Sequence, residues 1–310
     1  MQTIFEVLFV VLPIFGLVYA GYFFRKIKIC TDEWVHILNQ FVYYVSLPAI
    51  ISVSFWQINV REPMFWSIVG TNTAAVVAYA VILFGFIQVL PWKRGSLKAA
   101  AFMVGIVGNT VYIGFPLLAD AFGKNLLPYS IAAATVHLVL GLVLSILAVE
   151  FWVIKSKRAS AYILDFFKNP FFSSLAVGVV LSLLNFKGPV ADMIQKPIFM
   201  LGTTASPLAL FALGGFLHGK FAPHHLSRSV LLTVVKLAVF PLLTWLFVSL
   251  MGLGADFTAI SVVVASMPSA VTAFVIAEKY HLDNELVANT ILLSTAVSIV
   301  TISLFLLRFI

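Results

Sequence analysis

The sequence predicts an all-α membrane protein of ten transmembrane helices, arranged as two inverted five-helix repeats. Three observations carry that prediction. Hydrophobic residues make up 62% of the 310 and charged residues only 10%, with a mean hydropathy of +1.07; a soluble domain carries roughly 25% charged residues. Apolar runs of about 20 residues, the length that crosses a bilayer, recur along the chain between short polar breaks. Two of those runs are themselves interrupted, one by Asn109-Thr110-Val111-Tyr112-Ile113-Gly114-Phe115-Pro116 and the other, 159 residues on, by Ser266-Met267-Pro268-Ser269-Ala270.

Taken in order, the first run covers 5–24. No basic residue precedes it and Arg25, Lys26 and Lys28 follow it, the reverse of a secretory signal, so it reads as the first transmembrane helix. The break Arg25–Glu33 leads to a span at 34–54, and Gln57–Pro63 to one at 64–90. Pro91–Lys98 opens 98–119, and Asp120–Leu127 opens 127–154. The polar stretch Lys155–Lys168 divides the chain into a first repeat, 1–154, a short cytoplasmic linker, 155–168, and a second repeat, 169–310. The second repeat holds spans at 168–184, 197–217, 228–250, 257–278 and 285–307, separated by Asn185–Lys196, His218–Arg228, Met251–Asp256 and Lys279–Glu285. The breaks at Gln57–Pro63, Asp120–Leu127 and Met251–Asp256 are weakly polar, but without them the spans exceed a single crossing.

Basic residues give an orientation. On one side of the membrane fall Arg25, Lys26, Lys28, Lys93, Arg94, Lys98, Lys155, Lys157, Arg158, Lys168, Lys220, Arg228 and Lys279; on the other fall only Arg61, Lys124, Lys187, Lys196 and Arg308. The positive-inside rule places the richer side in the cytoplasm and both termini outside, in a multi-pass protein of the cytoplasmic (plasma or inner) membrane. The net charge of +7 therefore belongs to loops facing a bilayer, and nucleic acid is excluded as a partner. The single cysteine, Cys30, makes neither an internal disulfide nor a thiolate metal cluster. No metal and no cofactor is expected. The 29 phenylalanines read as lipid-facing or inter-helix packing surface, not as a binding cage.

A shift of 159 residues superposes several features at once. Pro48, in Ser46-Leu47-Pro48-Ala49, falls on Pro207, in Ser206-Pro207-Leu208-Ala209; Asn109 falls on Pro268, Phe115 on Phe274 and Thr135 on Ser294. Five spans per half is an odd number, so the second half enters from the opposite face, the inverted-repeat plan of secondary transporters. Asn109 and Pro268 each lie about 10 residues into a span, roughly 15 Å, or half the hydrocarbon thickness. The two breaks should therefore cross at the midplane.

Breaks at that depth are costly unless they line a cavity. Each frees the N–H groups that start a second half-helix, and the partial positive charge there attracts anions. Asn109 can cap its half-helix and still offer an amide, while Thr110, Ser266, Ser269 and Thr272 add hydroxyls of either hydrogen-bonding sense. Pro116 and Pro268 withhold donors and keep the helices from closing. The candidate substrate-binding residues are thus Asn109, Thr110, Tyr112, Pro116, Ser266, Pro268, Ser269 and Thr272, with Ser46, Pro48, Ser206 and Pro207 from the matching prolines of spans 2 and 7. Pro13 and Pro241 read as ordinary kinks.

Two ionisable residues lie within spans. Lys236 can offset a substrate carboxylate, act as a counter-charge within the core, or snorkel to the cytoplasmic interface. His137 is a candidate proton carrier, but a neutral histidine bonded to a neighbouring helix is the favoured reading. Neither break contains Asp or Glu, which argues against a carboxylate-built sodium site. Glu6, Glu150 and Glu278 read as interfacial. His218, His224 and His225 read as a solvated loop, and Gly215-Phe216-Leu217-His218-Gly219 as a weak helix-contact motif.

Gly108-Asn109-Thr110-Val111-Tyr112-Ile113-Gly114-Phe115-Pro116-Leu117 resembles the fourth-span signature of the auxin efflux carrier family. Met267 through Tyr280 resembles its ninth-span counterpart, and Lys236-Leu237-Ala238-Val239-Phe240-Pro241-Leu242 is similar to its eighth span. The resemblance covers essentially the whole chain. It implies a bile-acid symporter-like fold, a mobile core of spans 3–5 and 8–10, and a scaffold of spans 1, 2, 6 and 7 that dimerises. It also implies an organic-anion substrate, a carboxylate such as malonate, malate or an auxin-like acid. The short 155–168 segment is unlike the long loop of the plant carriers and resembles the microbial branch. The expected function is secondary transport by elevator-type alternating access. A receptor that binds the same ligands without flux is the alternative. An integral-membrane enzyme finds no His-Glu-x-x-His, no Gly-x-Ser-x-Gly and no acidic pair at depth.

Overall fold

A computed structural model describes residues 2–154, 170–219 and 223–309; the expected linker at 155–168 and Lys220 lie outside the described residues. Among them every regular element is a helix, joined by short turns, and one isolated antiparallel bridge is present. Seven helices are long and apolar enough to cross a membrane. They are α1 (Gln2–Lys26), α2 (Asp32–Gln57), α3 (Pro63–Val89), α6 (Asn125–Ile154), α8 (Pro189–Leu217), α9 (Leu226–Leu250) and α12 (Asn284–Phe309). Five shorter helices complete the set: α4 (Gly95–Ile106), α5 (Thr110–Gly123), α7 (Pro170–Leu183), α10 (Ala255–Ala265) and α11 (Thr272–Lys279). Multi-pass membrane character follows directly from their length and composition.

Local chemistry sets the joints. Thr31 caps α2, its hydroxyl oxygen accepting from the Trp34 N–H at 3.3 Å, with Asp32 and Glu33 in the first turn where they favour the helix dipole. Arg25, ending α1, donates to the Cys30 carbonyl at 3.1 Å and pairs with Asp32, closing the turn between the two helices. The path bends between α5 and α6 at Gly123, whose φ of 66° suits glycine.

Three prolines leave the same mark. Pro48, Pro116 and Pro241 each stand in the first turn of an α-helix that follows a five-residue π turn: Val42–Ser46, Thr110–Gly114 and Val235–Val239. A proline cannot donate to the carbonyl one turn back, and the helix widens there instead: the Leu47 N–H bonds Val42 and the Phe240 N–H bonds Val235. Pro241 is therefore more than an ordinary kink; it places Lys236 inside a widened turn. Pro13 sits within α1 as expected.

Helix pairing follows small residues. α1 packs along the Ala205–Leu217 half of α8, and the Leu47–Gln57 half of α2 packs along α7. A Cβ on Gly21 would stand 1.9 Å from the Phe211 carbonyl oxygen, and one on Gly214 would stand 1.9 Å from that of Val18. Glycine thus lets these backbones touch, as in membrane helix pairs generally. The expected Gly215/Gly219 contact divides: Gly215 does face α2 at Val35, whereas Gly219 has open space around it and a φ of 76°. The remaining helices pack on one another, α3 against α6 and α9, α10 against α9 and α12, and α4 against α3 and α12.

Candidate functional site

α4 ends at Ile106 and α10 at Ala265, and the two freed stretches run antiparallel to each other. Gly108 pairs with Ser269 in the isolated bridge. The Asn109 N–H donates to the Pro268 carbonyl at 2.6 Å, and the Ala270 N–H to the Val107 carbonyl at 3.0 Å. Each break thereby satisfies polar backbone groups that the other exposes, which a buried non-helical segment requires. The Ser269 hydroxyl donates to the Val104 carbonyl at 2.7 Å, and its N–H is accepted by the Ser294 hydroxyl at 3.1 Å. The crossing is thus tied to α4 and to α12.

Asn109 starts α5. Its side-chain oxygen accepts from the Tyr112 N–H at 3.2 Å, and its carbonyl accepts from Ile113 and Gly114. The amide nitrogen is left buried without a partner. So is the Thr110 hydroxyl, on a residue only 1% exposed. Most telling is Lys236: 0% exposed, its ammonium has no hydrogen-bond partner among the described residues and lies 3.1 Å from where a Cβ on Gly108 would be. It does not snorkel. It rests 4.5 Å over the Phe240 ring, a cation–π contact that offsets part of its desolvation. Phe240 in turn is stacked on Tyr79 at 4.1 Å and on His137 at 5.2 Å.

His137 is held between helices. Its Nε2 lies 3.0 Å from Asn72 Oδ1, while Asn72 Nδ2 donates to the Ile68 carbonyl and the Ser261 hydroxyl, each at 2.9 Å. With the Asn72 amide group already donating twice, its oxygen is the acceptor and His137 the donor. His137 on α6 thus bonds Asn72 of the neighbouring α3.

A cavity of about 550 Å³ borders the crossing. Gly108, Asn109, Tyr112 and Thr272 line it, with Leu138, Leu142, Val275 and Ile276 forming apolar wall. The opposite wall comes from α2, through His36, Asn39, Gln40 and Tyr43. The Tyr112 hydroxyl donates to Asn39 Oδ1 at 3.3 Å and so joins α5 to α2. Sequence reasoning missed this wall. The signal was there: polar residues at 36, 39, 40 and 43 repeat at helical spacing within an apolar span.

The other expected site residues distribute differently. Pro268 and Ser269 build the bridge, Pro116 starts the helix after the π turn, and the Ser266 hydroxyl folds back onto the Val263 carbonyl at 2.7 Å. None of these borders the cavity. Nor do Ser46, Pro48, Ser206 and Pro207: Ser46 bonds Thr204 at 2.7 Å where α2 meets α8, and Pro207 is exposed. The loop histidines separate, His218 against the Tyr22 ring at 5.1 Å and His225 beside Asp283 at 3.3 Å. The side chains of Glu6 and His224 lie outside the described residues. Glu150 is 8% exposed rather than interfacially open.

The sequence pattern of the membrane transport protein family matches residues 6–306. A protein of Rhizobium meliloti (strain 1021) named "Putative malonate transporter" is 27% identical over 98% of this chain and 96% of its own length. An uncharacterized transporter of Methanothermobacter thermautotrophicus is 28% identical over 95% of each chain. A rice protein (Oryza sativa subsp. japonica) named "Probable auxin efflux carrier component 9" is 31% identical over 40% of this chain and 30% of its own.

Proposed function

The chain belongs to the membrane transport protein family that includes the auxin efflux carriers, and from that premise we propose that it is a secondary carrier of small organic anions. The observation that carries the proposal is the crossing itself: two half-helix starts, α5 and α11, meeting beside a cavity, with the Asn109 amide, the Thr110 hydroxyl and the Lys236 ammonium buried and unpaired. All three can donate a hydrogen bond, and a carboxylate is the complementary acceptor. The name of the Rhizobium relative carries malonate, which makes small carboxylates the first solutes to try.

Several features support a ten-span inverted repeat. The four short helices α4, α5, α10 and α11 read as two broken spans, and α7 as a further one. The 159-residue shift carries α1 towards α7 and the Leu47–Gln57 half of α2 onto the Ala205–Leu217 half of α8; correspondingly, α1 packs on the latter and α7 on the former. A pair of segments related by a two-fold axis would be bridged in this way. In the same reading α1, α2, α7 and α8 form a scaffold that dimerises, and the other helices a moving core that works by an elevator. Its cavity is bordered by His36 and Gln40, just after the basic 25–33 loop, and by Tyr280 in the 279–285 loop. With the positive-inside orientation in a cytoplasmic membrane, that is a cavity facing the cytoplasm, with both termini outside.

Purified protein in liposomes tests this. Labelled malonate, malate or another small organic acid should accumulate against empty-liposome controls. Saturable binding of these acids without any flux would replace the carrier with a receptor.

A further inference from the structure

We propose that the core pivots on the scaffold at the joint between α2 and α3, and that the adjacent residues Arg61 and Glu62 are its two pins, one gripping each body. This rests on the carrier reading, in which α1, α2, α7 and α8 stay together while the other helices move, and it adds where the motion turns. Only residues 58–62 separate Gln57 from Pro63.

On one side the joint is stapled to the scaffold. The Trp56 indole N–H donates to the Phe186 carbonyl at 2.8 Å, and its ring stacks on that of Phe186. The Ser182 hydroxyl donates to the Ile58 carbonyl at 2.5 Å, and the Arg61 guanidinium donates to the carbonyl of Leu183, the last residue of α7, at 3.1 Å. On the other side it is held by the core. The Glu62 carboxylate accepts from the Tyr129 hydroxyl near the start of α6, and the Tyr129 ring packs edge-on against Phe257 at the start of α10. Consecutive Cα atoms stand about 3.8 Å apart, so the two grips are separated by a single peptide unit. The turn itself is tight: Asn59 accepts the Arg61 N–H on its side chain at 3.2 Å and the Glu62 N–H on its carbonyl at 3.0 Å, and the Trp66 indole reaches back to the Val60 carbonyl at 2.9 Å. A turn knit in this way can swing but cannot stretch, as a pivot requires and a slack tether does not. Pro63 preserves it, because a residue before proline is kept out of the helical region; Glu62 stands at φ −73°, ψ 127°, so α2 and α3 cannot fuse through the joint.

The passage from α8 to α9 is held at corresponding places. His218 lies against the Tyr22 ring near the end of α1, and His225 lies beside Asp283, just before α12. The 159-residue shift carries Phe24 of α1 onto Leu183 of α7, and Asn125, which opens α6, onto Asn284, which opens α12. Each half thus grips the end of one scaffold helix and the start of one core helix where its chain passes between the bodies.

Pin variants of the full-length protein test this. Arg61→Ala, Glu62→Ala and Tyr129→Phe should each slow uptake of labelled malonate or malate into liposomes several-fold while leaving the affinity for that acid, read by calorimetry, unchanged. Glu62→Gln, whose side-chain oxygen still accepts from Tyr129, should retain most of the rate. Spin labels at Asn125→Cys and Lys196→Cys, both exposed, in a Cys30→Ser background, report core against scaffold without any solute. The otherwise unaltered protein should show two distances; Glu62→Ala and Tyr129→Phe remove one bond and should shift their balance alike, with no further shift in the double variant. If Arg61→Ala fails to melt cooperatively, the Glu62 and Tyr129 variants decide. Wild-type uptake and distances in those variants overturn the pivot, as does a loss of affinity matching the loss of uptake, or a Glu62→Gln as slow as Glu62→Ala. Uptake by the wild type with one fixed distance removes the pivot and leaves the carrier reading intact. One fixed distance with no organic-acid uptake removes both; two distances without uptake remove the carrier reading, and the shifts in the pin variants then judge the pivot.

Discussion

The Asn109 N–H donates to the Pro268 carbonyl at 2.6 Å, and these are the two residues that a 159-residue shift of the sequence superposes. The contact closes the crossing, and it joins the two positions that the shift pairs.

Asn109→Ala removes a helix cap worth about 1 kcal/mol and the buried amide donor. The variant should insert and melt within a few degrees of wild type, yet lose organic-anion uptake in liposomes. Undiminished uptake would take Asn109 out of the site.

Gly108→Ala places a methyl group 3.1 Å from the Lys236 ammonium and 3.6 Å from Met267 Cβ. The lysine end is flexible, so the fold should persist. Anion affinity measured by calorimetry should fall several-fold, since the methyl group blocks the approach to the charge.

Gly214→Val tests the helix contact. Even the first carbon would stand 1.9 Å from the Val18 carbonyl and 2.7 Å from the Tyr22 nitrogen. Overpacking of this kind costs about 1–3 kcal/mol and occasionally more. A lowered melting temperature in detergent is expected, whereas Gly70→Val, with nothing within 4 Å of its Cβ, should melt like wild type.

His137→Gln separates a structural histidine from a proton carrier. Glutamine can donate to Asn72 Oδ1 but does not titrate. Uptake should persist with an unchanged pH profile; a flattened profile would make His137 the proton carrier.

Cys30, in the turn between α1 and α2, is 1% exposed, and burial raises its thiol above the usual range, although Arg25 lowers it in part. The thiolate is the reactive form. Maleimide labelling of the intact protein at neutral pH should be slow, quicken as pH rises towards the raised value, and become complete on denaturation. Rapid labelling at neutral pH would show that this turn opens.

Much of this was legible in the sequence because it is local. A proline or a glycine at membrane depth removes helix hydrogen bonds wherever the chain goes next, so interruptions at Asn109–Pro116 and Ser266–Ala270 could be read directly, although the first is shorter than that because helix resumes at Thr110. Asn109 as a cap follows equally from its place before a helical run. Lys236 was legible only as a buried cation with several roles open to it. The polar stripe His36, Asn39, Gln40 and Tyr43 was present in the pattern, but nothing local says which neighbour such a stripe faces. Pro48 and Pro207 coincide under the 159-residue shift, yet neither belongs to the cavity wall.

The sequence by itself determined a membrane protein of many spans with two matched interruptions, because hydropathy and lost backbone bonds act over a few residues. Only the tertiary structure decided that the interruptions hydrogen-bond each other, that α2 walls the cavity, and that an unpaired ammonium stands behind a bare glycine. Those are distances between residues more than seventy positions apart, set by how close small side chains let the helices come.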